Sequence, residues 1–230
     1  IWLNDYSVEA DAEEDERAPF RVEIDISVLC LLDFHSHLFA SEIIGLLGGS
    51  FDETGKLMRI STVFPCKSSH STGTEVDVDP LSEMEAGEHF ERSGVRMIGW
   101  YHSHPNFEPN PSLRDLETQT MYQGLCRSGD GGQEAFVGII VNPYLAVTES
   151  SSHIECFYVA QSAESGIERL PFRLPMHLTG VLNESLLLTE MSKLVEEAGA
   201  ASDALDMQKN SERGVKRVSK LLKSLCTHAK

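Results

Sequence analysis

Gly99-Trp100-Tyr101-His102-Ser103-His104-Pro105, followed by Ser112-Leu113-Arg114-Asp115, is the stretch whose reading decides the fold. Residues 95–101 are strongly apolar and read as a central strand. His102 and His104 follow two residues apart. On extended backbone, residues i and i+2 point the same way, so both imidazoles can reach one ion. Residues 106–111 carry Pro109 and Pro111 and cannot form regular structure. A helix follows over 113–126, with Ser112 near its start and Asp115 on its first turn. Neutral imidazole is a common zinc ligand, and a carboxylate is a common third. Three protein ligands leave a fourth zinc position for water, which is the arrangement of a catalytic site and not a closed structural one.

A bare pair of histidines at this spacing is more often two polar residues at a strand end. The chain carries its own control in His35-Ser36-His37. That pair sits in a helical pattern, where residues two apart point about 200° apart. One ion cannot take both, so His35 and His37 read as structural or surface residues.

Outward from this centre, residues 43–47 form a short apolar run ended by Gly48-Gly49 and read as a buried strand, with Glu42 just before it. Residues 22–26 alternate as a half-buried strand, and Ser27 reads as the N-cap of a helix to about residue 40. Residues 57–64 read as a strand stopped by Pro65. A Ser/Thr-rich loop over 66–74 precedes a short strand containing Val76, Asp77 and Val78. Asp79 then caps a helix with Pro80 at its first position, running to Arg92. Gly129–Gly132 reads as a flexible break. Strands are expected over 136–141 and 154–159, with a polar loop over 142–153 between them. From about Leu182 the pattern is helical to the end, broken briefly near residues 199–202. The last helix places Val215, Val218, Leu221, Leu222 and Leu225 on one face and its basic residues largely elsewhere. Such a stripe can bind a membrane or a partner helix, but more often it packs on its own domain or a dimer mate, and no membrane partner is expected.

Length and composition bound the reading. The chain has 230 residues and 25.5 kDa, about one large domain or a domain with an appendage. No stretch approaches about 18 apolar residues, so no transmembrane helix is expected. The net charge is −17. This excess of acid argues against a nucleic-acid-binding face and favours a basic partner. The bland alternative is solubility alone. Residues 1–19 are so rich in Asp and Glu that they read as a disordered tail. The chain opens on Ile1 without a basic-then-apolar leader, so no signal peptide is expected, and it reads as a segment of a longer protein. Five cysteines form no CxxC pair, a pattern that suits reduced thiols in the nucleus or cytosol.

With its proline, serine and aspartate included, the segment from His102 to Asp115 resembles the JAMM signature of the MPN+ zinc metalloprotease family. Residues 42–49, Glu-Ile-Ile-Gly-Leu-Leu-Gly-Gly, resemble the family's upstream glutamate strand. The resemblance covers about residues 22–175. Within the family, residues 100–105, Phe107 and residues 109–115 are most similar to the nuclear histone deubiquitinases with Myb-like, SWIRM and MPN domains. The resemblance implies an α/β fold: a cytidine-deaminase-like core of mixed, curved β-sheet flanked by helices. It places the catalytic domain at 20–178 and a C-terminal helical extension at 179–230.

The family cleaves the isopeptide bond between the ubiquitin C terminus and a lysine. The resemblance implies one zinc ion held by His102, His104 and Asp115. It implies Glu42 as the general base and Ser112 as the residue that stabilises the oxyanion. The expected partners are ubiquitin and a ubiquitinated protein, a histone by motif likeness, in the nucleus. The strand edge at Val76, Asp77 and Val78 is the candidate for pairing with the extended ubiquitin tail. There Glu75, Asp77 and Asp79 would face basic residues of that tail, or simply solvent. Cys126, His153 and Cys156 could suggest a second metal site, but residues 142–153 lack the ligand set of relatives that carry one, and no second metal is expected. Two rivals remain open at this level. One is the same chemistry on another ubiquitin-like modifier. The other is a non-catalytic scaffold that binds a partner subunit through the C-terminal helices.

Overall fold

The computed structural model describes residues 1–5, 18–71, 76–127, 132–145, 151–161, 169–212 and 214–229. The expectations for most of the acidic tail, for Glu75, for residues 129–131 and for the centre of the 142–153 loop lie outside the described residues.

The described elements run β1 (Arg21–Asp25), α1 (Ile26–Ser36), β2 (Ile44–Asp52), β3 (Leu57–Cys66), β4 (Ser68–Ser71), β5 (Val76–Val78), α2 (Pro80–Arg92) and β6 (Arg96–Ser103). They continue with α3 (Leu113–Leu125), β7 (Val137–Asn142), β8 (His153–Gln161), β9 (Arg169–Arg173), β10 (Met176–Thr179), α4 (Glu184–Ala200) and α5 (Arg217–His228). Eight strands form one mixed sheet in the order β10-β1-β3-β2-β6-β7-β8-β9. The β1–β10, β1–β3 and β6–β7 pairs are parallel and the other pairs antiparallel. The architecture is the α/β, curved mixed sheet with flanking helices that the sequence implied. β4 and β5 form a separate two-stranded ribbon.

Strand alternation divides the core. Tyr101 faces α1 with Val28, Leu32 and Val137, while its neighbour Trp100 faces the opposite side with Phe90 of α2, Tyr122 of α3, Phe136 and Phe157. Each such fully buried large side chain contributes about 1.5–3 kcal/mol. α1 is buried on nearly every side, because α4 and α5 cover the face it turns away from the sheet. Gly45 makes room in β2: a Cβ there would meet the Tyr101 ring at 2.2 Å.

The structure corrects several boundaries. The N-cap of α1 is Asp25, whose side chain accepts from Ser27 N, so Ser27 is inside the helix and not its cap. The helix ends at Ser36 and not near residue 40. β2 continues through Gly48-Gly49, where the pairing shifts register, and a Cβ on Gly49 would meet the Arg59 carbonyl oxygen at 1.9 Å. The glycines therefore lie opposite register shifts in the neighbouring strands and do not end β2. β3 likewise passes through Pro65 to Cys66. Along β3, β1 covers only Leu57–Ile60, so among the described residues the strand has an open side near Pro65, where proline is tolerated. Residues 68–71, expected as loop, form β4. β9 and β10 are additions that the sequence pattern does not announce. The C-terminal break is long, spanning residues 201–216 between α4 and α5. The buried side of α5 is Lys220, Leu221 and Ser224, while Leu222 is exposed. That helix packs on its own domain, and no described helix is long and apolar enough to cross a membrane.

Candidate metal centre

β6 carries His102 near its end, and His104 follows just past it; both are buried. Their Nε2 atoms lie 3.0 Å apart, as strand alternation requires. α3 begins directly opposite. Ser112 Oγ accepts from Asp115 N at 3.1 Å, and Asp115 Oδ2 accepts from Ser112 N at 2.6 Å. This reciprocal capping box starts the helix and orients the carboxylate. Asp115 Oδ1 then lies 3.3 Å from His102 Nε2, and Oδ2 lies 3.7 Å from His104 Nε2. Among the described residues, His102, His104 and Asp115 are the group of side chains that could hold a metal ion. Ligand atoms about 2.0–2.1 Å from a tetrahedral zinc stand about 3.3 Å from each other. The donor set and its spacings therefore fit zinc.

Burial alone would raise the Asp115 carboxyl, but the two facing histidines, chiefly His102, and the Ser112 amide hold it far below the usual carboxylate range. It is a carboxylate at any physiological pH. Glu42 lies just before β2, buried, with Oε1 3.9 Å from His104 Nε2. Ile44 of β2 pairs with His102 of β6, so the sheet register itself brings Glu42 to the histidines. Ser112 Oγ is engaged as a helix-cap acceptor, which leaves its hydroxyl hydrogen available to donate.

Several positioning residues escape a reading of the sequence. Ser103, between the two histidines, accepts from Ile43 N at 3.0 Å through its hydroxyl, and its own N–H donates to Ile43 O. His104 Nδ1 pairs with Glu108 O at 3.0 Å, which turns Nε2 toward the centre. Asn142 donates to the backbone oxygens of His104 and Phe107, while its Oδ1 accepts from Tyr144 N and Leu145 N. His102 Nδ1 is buried and has no hydrogen-bond partner among the described residues. Its ring is instead stacked on Trp100 at 4.6 Å between centroids. The Trp100 indole donates to Gln119 Oε1 of α3 at 2.8 Å, and Gln119 donates to Phe136 O and Gln123. Trp100 and Gln119 thus tie the histidine strand to the aspartate helix. The one signal in sequence is glutamine at positions 119 and 123, four apart on an otherwise amphipathic helix.

The other predicted residues lie apart from this cluster or are otherwise engaged. His35 is buried against Tyr101, with its Nδ1 2.9 Å from the hydroxyl, and burial holds its pKa down to about 3. His37 Nδ1 pairs with Asp33 O. Both are structural, as the helical spacing required. Val76, Asp77 and Val78 form β5, with Asp77 in a double contact to Arg114 at the start of α3. Asp79 is used as the cap of α2, so it is not a free acidic contact for a peptide.

The fold and centre define a class: an α/β domain that presents two histidines and an aspartate to one metal position beside a buried glutamate. Residues 21–128 match the family described as JAB1/Mov34/MPN/PAD-1 ubiquitin protease, and this region of the chain belongs to it. It is 33% identical over 199 residues to the histone deubiquitinase MYSM1 of Xenopus laevis, covering 85% of this chain and 24% of that protein. It is 39% identical over 162 residues to the deubiquitinase MYSM1 of Homo sapiens, covering 70% of this chain and 19% of that protein. An MPN domain-containing protein of Danio rerio is 31% identical over 215 residues, covering 92% of this chain and 46% of that protein. The chain thus spans a quarter or less of the MYSM1 relatives. The solution structure of protein DSY2949 from Desulfitobacterium hafniense shares the fold, with a TM-score of 0.51 at 18% identity over 70% of this chain and 95% of that one.

Proposed function

We propose that this chain is the catalytic region of a zinc-dependent deubiquitinase. Its reaction is hydrolysis of the isopeptide bond between the ubiquitin C terminus and a substrate lysine. A histone in chromatin is the substrate protein, which makes the enzyme nuclear. The observation that carries this is the buried Glu42 carboxylate 3.9 Å from His104 Nε2, beside a three-donor centre. The names of the MYSM1 relatives support the ubiquitin and histone assignments.

His102, His104 and Asp115 hold the zinc, which would supply a Lewis acid able to lower the pKa of water to about 7. Glu42 accepts the proton of the attacking water and returns it to the leaving lysine amine, a contribution of typically about 10²–10⁴-fold. The Ser112 hydroxyl donates to the oxyanion that develops on the scissile carbonyl. The open edge of the β4–β5 ribbon, at Val76, Asp77 and Val78, receives the extended ubiquitin tail by strand addition. Residues 20–178 are the catalytic domain in this reading, and 179–230 are its helical extension.

The test is hydrolysis of a ubiquitin–lysine isopeptide reporter by the parent and by Glu42→Gln, with zinc content measured in both. Release by the parent and at least about 100-fold slower release by the zinc-loaded variant is expected. Equal release would remove Glu42 from the mechanism. No release from a zinc-loaded parent would favour the scaffold reading.

A further inference from the structure

We propose that the segment after α4 is part of the catalytic centre, with Asp203 as a positioning residue for Glu42. This rests on the reading of Glu42 as the base. The chain from Leu38 to Ser41 leads directly into Glu42, and residues 203–205 run beside it. Leu205 N donates to Leu38 O at 2.7 Å, Ala40 N donates to Asp203 O at 3.0 Å, and Phe39 bridges Ala204 in antiparallel fashion. The Ser41 hydroxyl donates to the Asp203 carboxylate. On the other side of Glu42, Ile43 is tied in both directions to Ser103, between the two histidines. Glu42 is therefore held between two anchors. One belongs to the histidine strand, and the other is supplied from some 160 residues away in sequence.

The strap is itself fastened. Arg217 N donates to Lys209 O and Val218 N to Met207 O at the start of α5. α5 is in turn pinned to α1 through Ser224 and Asp33. The family match ends at residue 128, so this anchor is an addition to the matched region. A base must sit within hydrogen-bond reach of the proton it takes. Misplacement of about 1 Å can cost about 100-fold in rate. A hydrogen-bonded strap on the residue before Glu42 fixes that position without touching substrate.

The test compares Asp203→Ala, Ser41→Ala, the double variant and Asp203→Asn in the full 230-residue chain. With the isopeptide reporter, the two alanine variants should lose about 10-fold or more in kcat with KM little changed. The double variant should be no worse than either single one, because both remove the same contact. Asp203→Asn keeps an acceptor oxygen and should recover most of the rate. Unchanged kcat, a loss carried by KM, or a loss matched by missing zinc overturns the proposal. Hydrogen exchange without substrate gives a second reading. Asp203→Ala should speed exchange of the 38–43 amides and leave those of β7 unchanged. No change at 38–43, or faster exchange everywhere, overturns it. That arm does not need catalysis, so an inactive parent would sink the proposed function while still deciding the role of the strap.

Discussion

Asp115 serves two structures at once. Its carboxylate completes the capping box of α3 and also faces both imidazoles. The two duties separate under Asp115→Asn. The amide oxygen still accepts from Ser112 N, so stability should change by less than about 1 kcal/mol. The anionic ligand is gone, so zinc should be lost on dialysis; metal analysis beside thermal melting reads both. Gln119 makes the opposite prediction. Gln119→Leu leaves the Trp100 indole and the Phe136 carbonyl unsatisfied in the core, which costs about 1–3 kcal/mol. It also frees the ring that orients His102, so zinc affinity by chelator competition should fall about 10–100-fold. Unchanged affinity would mean that stacking does not orient the ligand. The sequence makes the first case legible and hides the second. His102, His104 and Asp115 obey local periodicities, two at a strand end and one on a first turn. The glutamine acts across three elements, and its one local mark is a second glutamine, Gln123, one helical turn on.

Among elements, α1 and α5 meet through a buried acid. Asp33 of α1 is fully enclosed, and its carboxylate accepts from Ser152 Oγ and Ser224 Oγ, each at 2.5 Å. His228 Nε2 stands 3.0 Å from it and His37 Nδ1 3.3 Å from it. Burial would raise its pKa, but His37 and His228 bring it well below the ordinary 3.8. A carboxyl lowered on folding stabilises fully above its unfolded pKa, and the gain is lost as pH falls below that value. The urea midpoint of the parent should therefore hold down to about pH 4 and fall progressively below it. Asp33→Asn should be much less stable than the parent at pH 6, with the gap narrowing steadily as pH falls below about 4. A gap that does not change with pH would clear Asp33 as the titrating group. α5 itself is readable from its apolar spacing, but its polar anchor is not, since Ser224 has the look of a surface residue. β9 and β10 escape for a related reason. They are the two edges of the sheet, where strands are short and carry charge or proline, as in Arg-Leu-Pro-Phe-Arg. Core strands such as β6 and β7 are continuous apolar runs and announce themselves.

For the molecule as a whole, topology is the least legible level. Periodicity finds strands, yet which strands are neighbours depends on contacts far apart in sequence. That β2 lies beside β6, and so brings Glu42 to His104, follows from the sheet order alone. Net charge is the global property the sequence states outright, and at −17 it has a consequence for substrate capture. Opposite charge speeds encounter over distances near the Debye length, about 10 Å at 0.1 M salt and about 3 Å at 1 M. A basic ubiquitinated histone should gain from that field, whereas a short isopeptide reporter without a basic carrier should not. Raising salt from about 0.05 M to about 0.5 M should then reduce kcat/KM for the histone substrate by about 10-fold or more. The reporter should change little under the same conditions, because its encounter owes nothing to long-range attraction. The ratio of the two salt dependences is the quantity to measure, since it cancels any effect of salt on zinc or on Glu42. Parallel falls would place the salt effect at the centre itself. A fall confined to the histone would tie the acidic surface to the choice of substrate.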